Sequence, residues 1–340
     1  MGLLQETCDA IHSRSKEIEQ HIIKNWNDAS DIKQYGRLVN MVAQYGAATN
    51  QEDVTIPKPC MIIASADHGV ADMGVSAYPK ETTVGMTQNY LIPKGAGANS
   101  LANYCGATME VIDMGIAADM SWVPGLCSHK LGMGTKNFVE EPAMTREQAI
   151  EGIETGIKLV QEKMVDGYNV FLVGEMGISN TTASALMTAK FAGLTAEEAT
   201  GRGTNISDER LKLKQRIVHD VLVKYQDIPK DDAIGILAAV GGFEFTCIVG
   251  VILGAAANHG MVIIDGFNTS ACALVAKTLV PASMDYVMAS HLSAEKAAKS
   301  SLQNLGLEAY VDLGLCLGEA SGGSVQMGML DLAVHMYKSV

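Results

Sequence analysis

The stretch YNVFLVGEMGISNTT (168–182) decides the fold. Its first half, Tyr168 to Met176, is a short β-branched and aromatic run that ends on an acid, Glu175, as a buried strand does. Its second half brings Gly174 and Gly177, then Ser179, Asn180, Thr181 and Thr182, ahead of a small-residue segment of helical length. Small polar side chains at that point suit a helix N-terminus, and the glycines let backbone N–H groups come close to an anion. A strand turning straight into a helix is one half of a βαβ unit.

Outward from there the same shape recurs in MIIASAD (61–67), MEVIDMG (109–115), AIGILAAV (233–240), MVIIDGF (261–267), YVMASH (286–291) and AYVDLGL (309–315). Each reads as a strand. Between them, Arg146 to Asp166 and Asp208 to Tyr225 read as helices, the latter opened by Ser207 or Asp208. Such alternation implies an α/β fold, with a mainly parallel, right-handed sheet and flanking helices. The first 50 residues read as polar-faced helices, and 320–340 as Gly-rich, then helical. The two ends are expected to form a small helical domain beside a large α/β domain over 51–319.

Composition agrees with a helix-covered sheet. Apolar residues make up 48% and aromatics only 5%, so Ala, Val, Ile, Leu and the 19 Met must fill the core. A net charge of −13 argues against a nucleic-acid partner, which needs clustered Lys and Arg. The N-terminal MGLLQETCDAIHSRSKE has no signal-peptide apolar core, and the longest apolar stretch, Cys247 to Ala257, is too short to span a membrane. Cys8, Cys60, Cys105, Cys127, Cys247, Cys272 and Cys316 form no CxxC pair and no metal-ligand spacing. They read mostly as buried reduced thiols of a cytoplasmic protein without a metal or other cofactor.

Ligands of open α/β sheets sit beyond the carboxyl ends of the strands. Nearly every run above ends in a polar residue: Asp67 and His68, Asp113, Glu175, Glu244, Asp265, His291, and Glu319 after the last. The loop after Gly174 is neither GxxxxGK[ST] nor GxGxxG, so neither ATP nor a dinucleotide is indicated. A second Gly-then-cap stretch, TGRGTNISDERLKLK (200–214), places Lys214 about two turns into a helix, within reach of a phosphate or simply in solvent. Glu319, in LGLCLGEASGGS (313–324), is poorly solvated among Leu and Gly, which raises a carboxyl toward general-base range. Glu175 has a similar setting, so the two can divide the roles of base and electrostatic stabiliser. His68 and His291 lack HExxH spacing and read as lining the site or supporting it.

These residues carry a family resemblance. ADHGVADMGVSAYPKETTVGMTQNYL (66–91), GAGANSLANYCGATMEVIDMG (95–115), GEMGISNTTASA (174–185) and GRGT (201–204) resemble nicotinate-nucleotide:dimethylbenzimidazole phosphoribosyltransferases. So do GGFEF (241–245), VILGAA (251–256), IIDGF (263–267), ASHLSAE (289–295) and LGLCLGE (313–319). The resemblance implies transfer of ribose 5-phosphate from nicotinate mononucleotide to a cobamide lower-ligand base, giving an α-riboside phosphate and free nicotinate without a metal or redox cofactor. It also implies a Rossmann-like large domain and a dimer, with a second copy or with a paralogue. By motif, Glu319 takes the place of the catalytic base and Glu175 that of the second carboxylate. Gly177, Ser179, Asn180, Thr181, Gly203 and Lys214 would hold the nucleotide, with Ser290, His291 and Ser293 and with Asp265 at the end of its strand. Met86 and Gln88 would line the acceptor pocket.

The match departs from the family pattern at four places. Ser179 and Asn205 stand where the family has Gly, Cys316 where it has Arg, and Lys296, Ala297 and Ala298 where it has PGH. One branch of the family uses phenolic acceptors and works as a pair of unlike subunits. The departures leave two alternatives open: membership of that branch, and a non-catalytic subunit that keeps the fold.

Overall fold

The computed structural model describes residues 2–29 and 35–339. Residues 30–34, inside the expected N-terminal helical segment, lie outside the described residues.

Six parallel strands form the sheet: β1 (Pro59–Ala66), β2 (Thr108–Gly115), β3 (Cys127–Ser128), β4 (Val170–Met176), β5 (Met261–Ile264) and β6 (Val287–Ala289). Their spatial order is β3-β2-β1-β4-β5-β6. All eight residues of β1 are buried, as a strand covered by helices on both faces must be. In register, Ile63 pairs with Gly174 and Leu172 with Ile263, so the carboxyl ends of the central strands reach one rim together. The chain builds outward from β1 to β3, then returns to lay β4 on the other side of β1. Strand order reverses there, opening a crevice between the ends of β1 and β4.

Helix Arg146–Val165 and helix Phe243–Ala257 pack closely because glycines face each other. A Cβ on Gly156 would lie 2.1 Å from the Cys247 carbonyl oxygen, and one on Gly250 would lie 2.0 Å from that of Ile153. The second helix is buried from Phe243 through Ala256, which takes its one acid, Glu244, out of solvent. Trp26 is fully buried, with ring centroids of Tyr35 and Tyr337 5.2 and 5.3 Å away, so helices from the two chain ends pack together. No helix among the described residues is long and apolar enough to cross a membrane.

Two expected strands are absent. AIGILAAV is a helix, Ala233–Val240, whose N-terminus is capped by the Asp232 carboxylate accepting from Gly235 N–H at 2.9 Å. A short apolar run buried on all sides has no period to tell helix from strand. Glu244 therefore sits in the first turn of the next helix, not at a strand end. AYVDLGL makes one parallel bridge, Val311 with His291, and otherwise runs as irregular chain. Leu292 and Ala294 donate to the carbonyls of Val311 and Leu315, so this chain is strapped to the segment after β6 and delivered to the rim.

Candidate active site

At the carboxyl ends of β4 and β5 lies a cleft of about 530 Å³. Four carboxylates line it, Glu175, Asp265, Glu295 and Glu319, and no Lys or Arg among the described residues does. A larger, more open depression of about 660 Å³ on the outer face of helix Asp208–Lys224 contains none of the expected site residues.

Glu175 is the penultimate residue of β4, where the pleat turns its side chain into the rim. The Asn180 amide donates to its Oε2. Asn180 begins helix Asn180–Ala192, and its Oδ1 accepts from Asn268 Nδ2 at 3.0 Å; Asn268 Oδ1 accepts from the Ser184 hydroxyl at 2.7 Å. Burial pushes the Glu175 carboxyl up to about 8, opposed by the two asparagine amides and reinforced by Glu244 and Asp265. No cation is among those influences.

Glu319 is held differently. It and Ala320 both have φ of +58°, a left-handed conformation that non-glycine residues adopt at a cost. The turn is pressed against β4 at Gly174, where a Cβ would come within 2.6 Å of Ala320 N. Gly174 thus serves contact with the Glu319 turn as well as the strand end. Behind the turn, Asp265 Oδ1 accepts from Gly322 and Gly323 N–H at 2.6 and 3.2 Å, tying helix Ser321–Ser339 to the end of β5. The Asp265 carboxyl is raised by burial and lowered by His291, whose Nδ1 is 3.9 Å away. Glu319 itself is raised by burial, and the neighbouring Tyr90 hydroxyl acts against that.

Gly177, Asn180, Thr181, Gly203 and Thr204 also line the cleft. Lys214 stands just behind Thr181. Only 1% exposed, it donates to Thr181 Oγ1 at 2.8 Å, and burial lowers its ammonium to about 8, with Glu295 opposing. That excludes the solvated lysine. Glu295 Oε1 accepts from Gly203 N–H at 2.8 Å and so fixes the loop in front. Ser179 and Asn205, the two departures from glycine, lie at φ of +78° and +59°, which is why glycine suits those positions.

Met86, His291 and Ser293 line the cleft with the residues above, as does Cys316, which is exposed, unlike the buried thiol expected. Ser179, Lys214, Ser290 and Gln88 are not in the lining. The Ser290 hydroxyl instead donates to the Asp265 carbonyl at 2.7 Å, and Gln88 is half-buried on helix Thr82–Leu91. Three strand-end candidates serve the scaffold. Asp113 pairs with Lys130 at 2.8 Å and accepts from Gly115 and Ile116 N–H. His68 Nε2 meets Glu244 Oε1 at 2.7 Å, fully buried beneath Gly177. Asp67 Oδ2 accepts from Ala117 N–H at 2.8 Å. Among the described residues no group of three or more His, Cys, Asp or Glu is placed to hold a metal.

Asn268, Tyr90 and Glu295 escaped the sequence reading. Asn268 follows the IIDGF motif by one residue, and Glu295 ends ASHLSAE, so their places were quoted without their roles. Tyr90, inside a helix, carries no local signal.

The chain matches the family model described as phosphoribosyltransferase over residues 11–340. It is 41% identical over 314 residues to the nicotinate-nucleotide–dimethylbenzimidazole phosphoribosyltransferase of Geobacter metallireducens, covering 92% of this chain and 88% of that one. It is 42% identical to the protein of the same name in Chloroflexus aggregans, over 88% of this chain and 84% of the relative. The crystal structure of CobT from Thermus thermophilus superposes with a TM-score of 0.90 at 32% identity, covering 95% of this chain and 96% of that one. A parallel sheet with its cleft at the β4 and β5 ends, and likeness along nearly the whole chain, lead to one assignment: the chain belongs to the nicotinate-nucleotide–dimethylbenzimidazole phosphoribosyltransferase family and is a phosphoribosyltransferase.

Proposed function

We propose that this chain transfers ribose 5-phosphate from nicotinate mononucleotide to an aromatic acceptor, 5,6-dimethylbenzimidazole in the first instance, with Glu319 as general base. The observation that carries the reading is the meeting of Glu175 and Glu319 in one cleft with Thr181, behind which stands Lys214, and Gly203. The names of the relatives support the substrates.

The phosphate lies against Gly177 to Thr181, at the N-terminus of helix Asn180–Ala192, where the backbone dipole and the Lys214 ammonium favour an anion. Ribose C1′ then faces Glu175. As its bond to the nicotinate nitrogen breaks, the electron pair leaves with nicotinate and positive charge grows on C1′ and the ring oxygen. An ionised Glu175 stabilises that charge. The unprotonated ring nitrogen of the acceptor attacks C1′ from the opposite face, which gives the α-riboside, and the proton on its other ring nitrogen passes to Glu319. Nicotinate, the α-riboside phosphate and one proton account for all atoms.

Met86, Phe267 and Leu317 supply the apolar contacts for the flat acceptor. A phenolic acceptor is the second reading. It is favoured by Cys316, a small neutral residue in the lining where the family carries a cation. Phenol needs the same base, since its O–H proton must also go.

Incubating the purified chain with nicotinate mononucleotide and either acceptor, and identifying the riboside by mass spectrometry, tests both. Dimethylbenzimidazole riboside phosphate in excess is expected. Phenyl riboside phosphate in excess would transfer the chain to the phenolic branch. No product from folded protein with either acceptor would overturn the reading and leave a non-catalytic subunit.

A further inference from the structure

The amide of Asn180 that donates to Glu175 is itself part of a longer chain of hydrogen bonds. The acceptor at its end fixes the direction of every link. A carboxylate can only accept, so Asn180 turns Nδ2 toward it and Oδ1 away. Asn268 must then present Nδ2 to Asn180 and Oδ1 to Ser184, whose hydroxyl donates. Ser184 to Asn268 to Asn180 to Glu175 is thus one run of hydrogen bonds that all point the same way and end at Glu175 Oε2. Aligned bonds of this kind polarise one another in a low-dielectric interior. Asn180, Ser184 and Asn268 are all buried, and they join helix Asn180–Ala192 to helix Phe267–Leu279, so the chain is set by two rigid elements.

We propose that Asn268 is a positioning residue for the transfer reaction: through Asn180 it aims the Glu175 carboxylate into the cleft and favours its ionised form. This rests on the reading of Glu175 as stabiliser of the ribose charge. The need for such a device follows from the surroundings. The charged groups that act on Glu175 are Glu244 at the start of helix Phe243–Ala257 and Asp265 after β5, both of which oppose its ionisation, as burial does. On the neighbouring elements, Tyr90 and the Cys272 thiol lie close enough to feel it, and His68 is engaged with Glu244. The two asparagine amides stand against that set.

The test is the titration of Glu175 itself, followed in the full-length chain by infrared difference spectroscopy with ¹³C-carboxyl glutamate, using Glu175→Gln to assign the band. Asn268→Ala is expected to move the midpoint to higher pH by up to roughly one unit, the size of one hydrogen bond between neutral groups in the run that ends at Glu175. The acidic limb of the kcat/KM profile is expected to move with it. Ser184→Ala, which removes the far end of the chain, is expected to shift both in the same direction by less. An unmoved midpoint in folded Asn268→Ala overturns the proposal; if that variant does not fold, an unmoved midpoint in Ser184→Ala does so. A shifted midpoint in a chain without transferase activity would uphold the positioning role and defeat the assigned reaction instead.

Discussion

Two glutamates reach the same cleft from opposite kinds of structure. Glu175 lies at the end of a regular strand and is held by side-chain hydrogen bonds that run back into two helices. Glu319 lies in irregular chain and is held by its backbone, in a left-handed turn wedged against Gly174 and anchored through Asp265. The difference fits the roles proposed for the two. A group that has to stay charged needs donors, because burial alone would neutralise it. A group that takes up a proton and gives it away again is better fixed from behind, leaving its oxygens free for the acceptor.

The contrast can be broken at either end. Glu175→Gln keeps shape and removes charge, so it should lower kcat about 10²- to 10³-fold while changing KM for the nucleotide little, as expected for loss of electrostatic stabilisation. A large KM effect with kcat intact would move Glu175 from charge stabiliser to simple binding group. Gly174→Ala tests the wedge. Its Cβ has no room beside Ala320 N, so the Glu319 turn must shift, at a cost of about 1–3 kcal/mol in stability. Transfer should fall at least about tenfold, since a displacement near 1 Å is enough to spoil geometry. Normal kcat in that variant would show that the turn tolerates slack.

Protonation sharpens the comparison. The Glu175 carboxyl, ordinarily near 4.5, sits at about 8 in the folded chain, so between those values the native state holds a proton that the unfolded chain has released. Stability from this group is therefore complete below pH 4.5 and lost as pH rises through 8. Glu175→Gln should match the wild type near pH 5 and exceed it at pH 9, by up to a few kcal/mol in denaturant unfolding. A constant difference would mean that Glu175 is ionised throughout. Under the proposed reaction Lys214, lowered to about 8, is protonated when it holds phosphate while Glu175 is ionised. The kcat/KM profile should accordingly be a narrow bell centred near 8.

The smallest effect is expected at Ser179, which combines a φ of +78° with a buried hydroxyl that has no hydrogen-bond partner. Ser179→Gly should stabilise the chain by about 1 kcal/mol by thermal unfolding. Destabilisation would show that the hydroxyl is satisfied in solution.

The strand-to-helix turn at 168–182 was legible because local signals agreed: β-branched run, terminal acid, glycines, caps. Glu175 could be placed from that turn alone, and Glu319 from the Gly-rich stretch around it together with the family resemblance. What escaped was set by tertiary contact. Nothing local separates the helix Ala233–Val240 from a strand, because burial on every side erases its period. Asp113 looked like Glu175 until Lys130 came from another part of the chain to pair with it. Asn268 and Tyr90 act only through partners far away in sequence, which no spacing reveals.

The most direct test of the central claim is nicotinate release from nicotinate mononucleotide by the purified chain, with dimethylbenzimidazole present, beside its Glu319→Gln variant. If Glu319 takes the acceptor proton, the wild type turns over and the variant is slower by about 10²- to 10⁴-fold with unchanged nucleotide KM. Equal rates in the two proteins would contradict the account and remove Glu319 from the role of base.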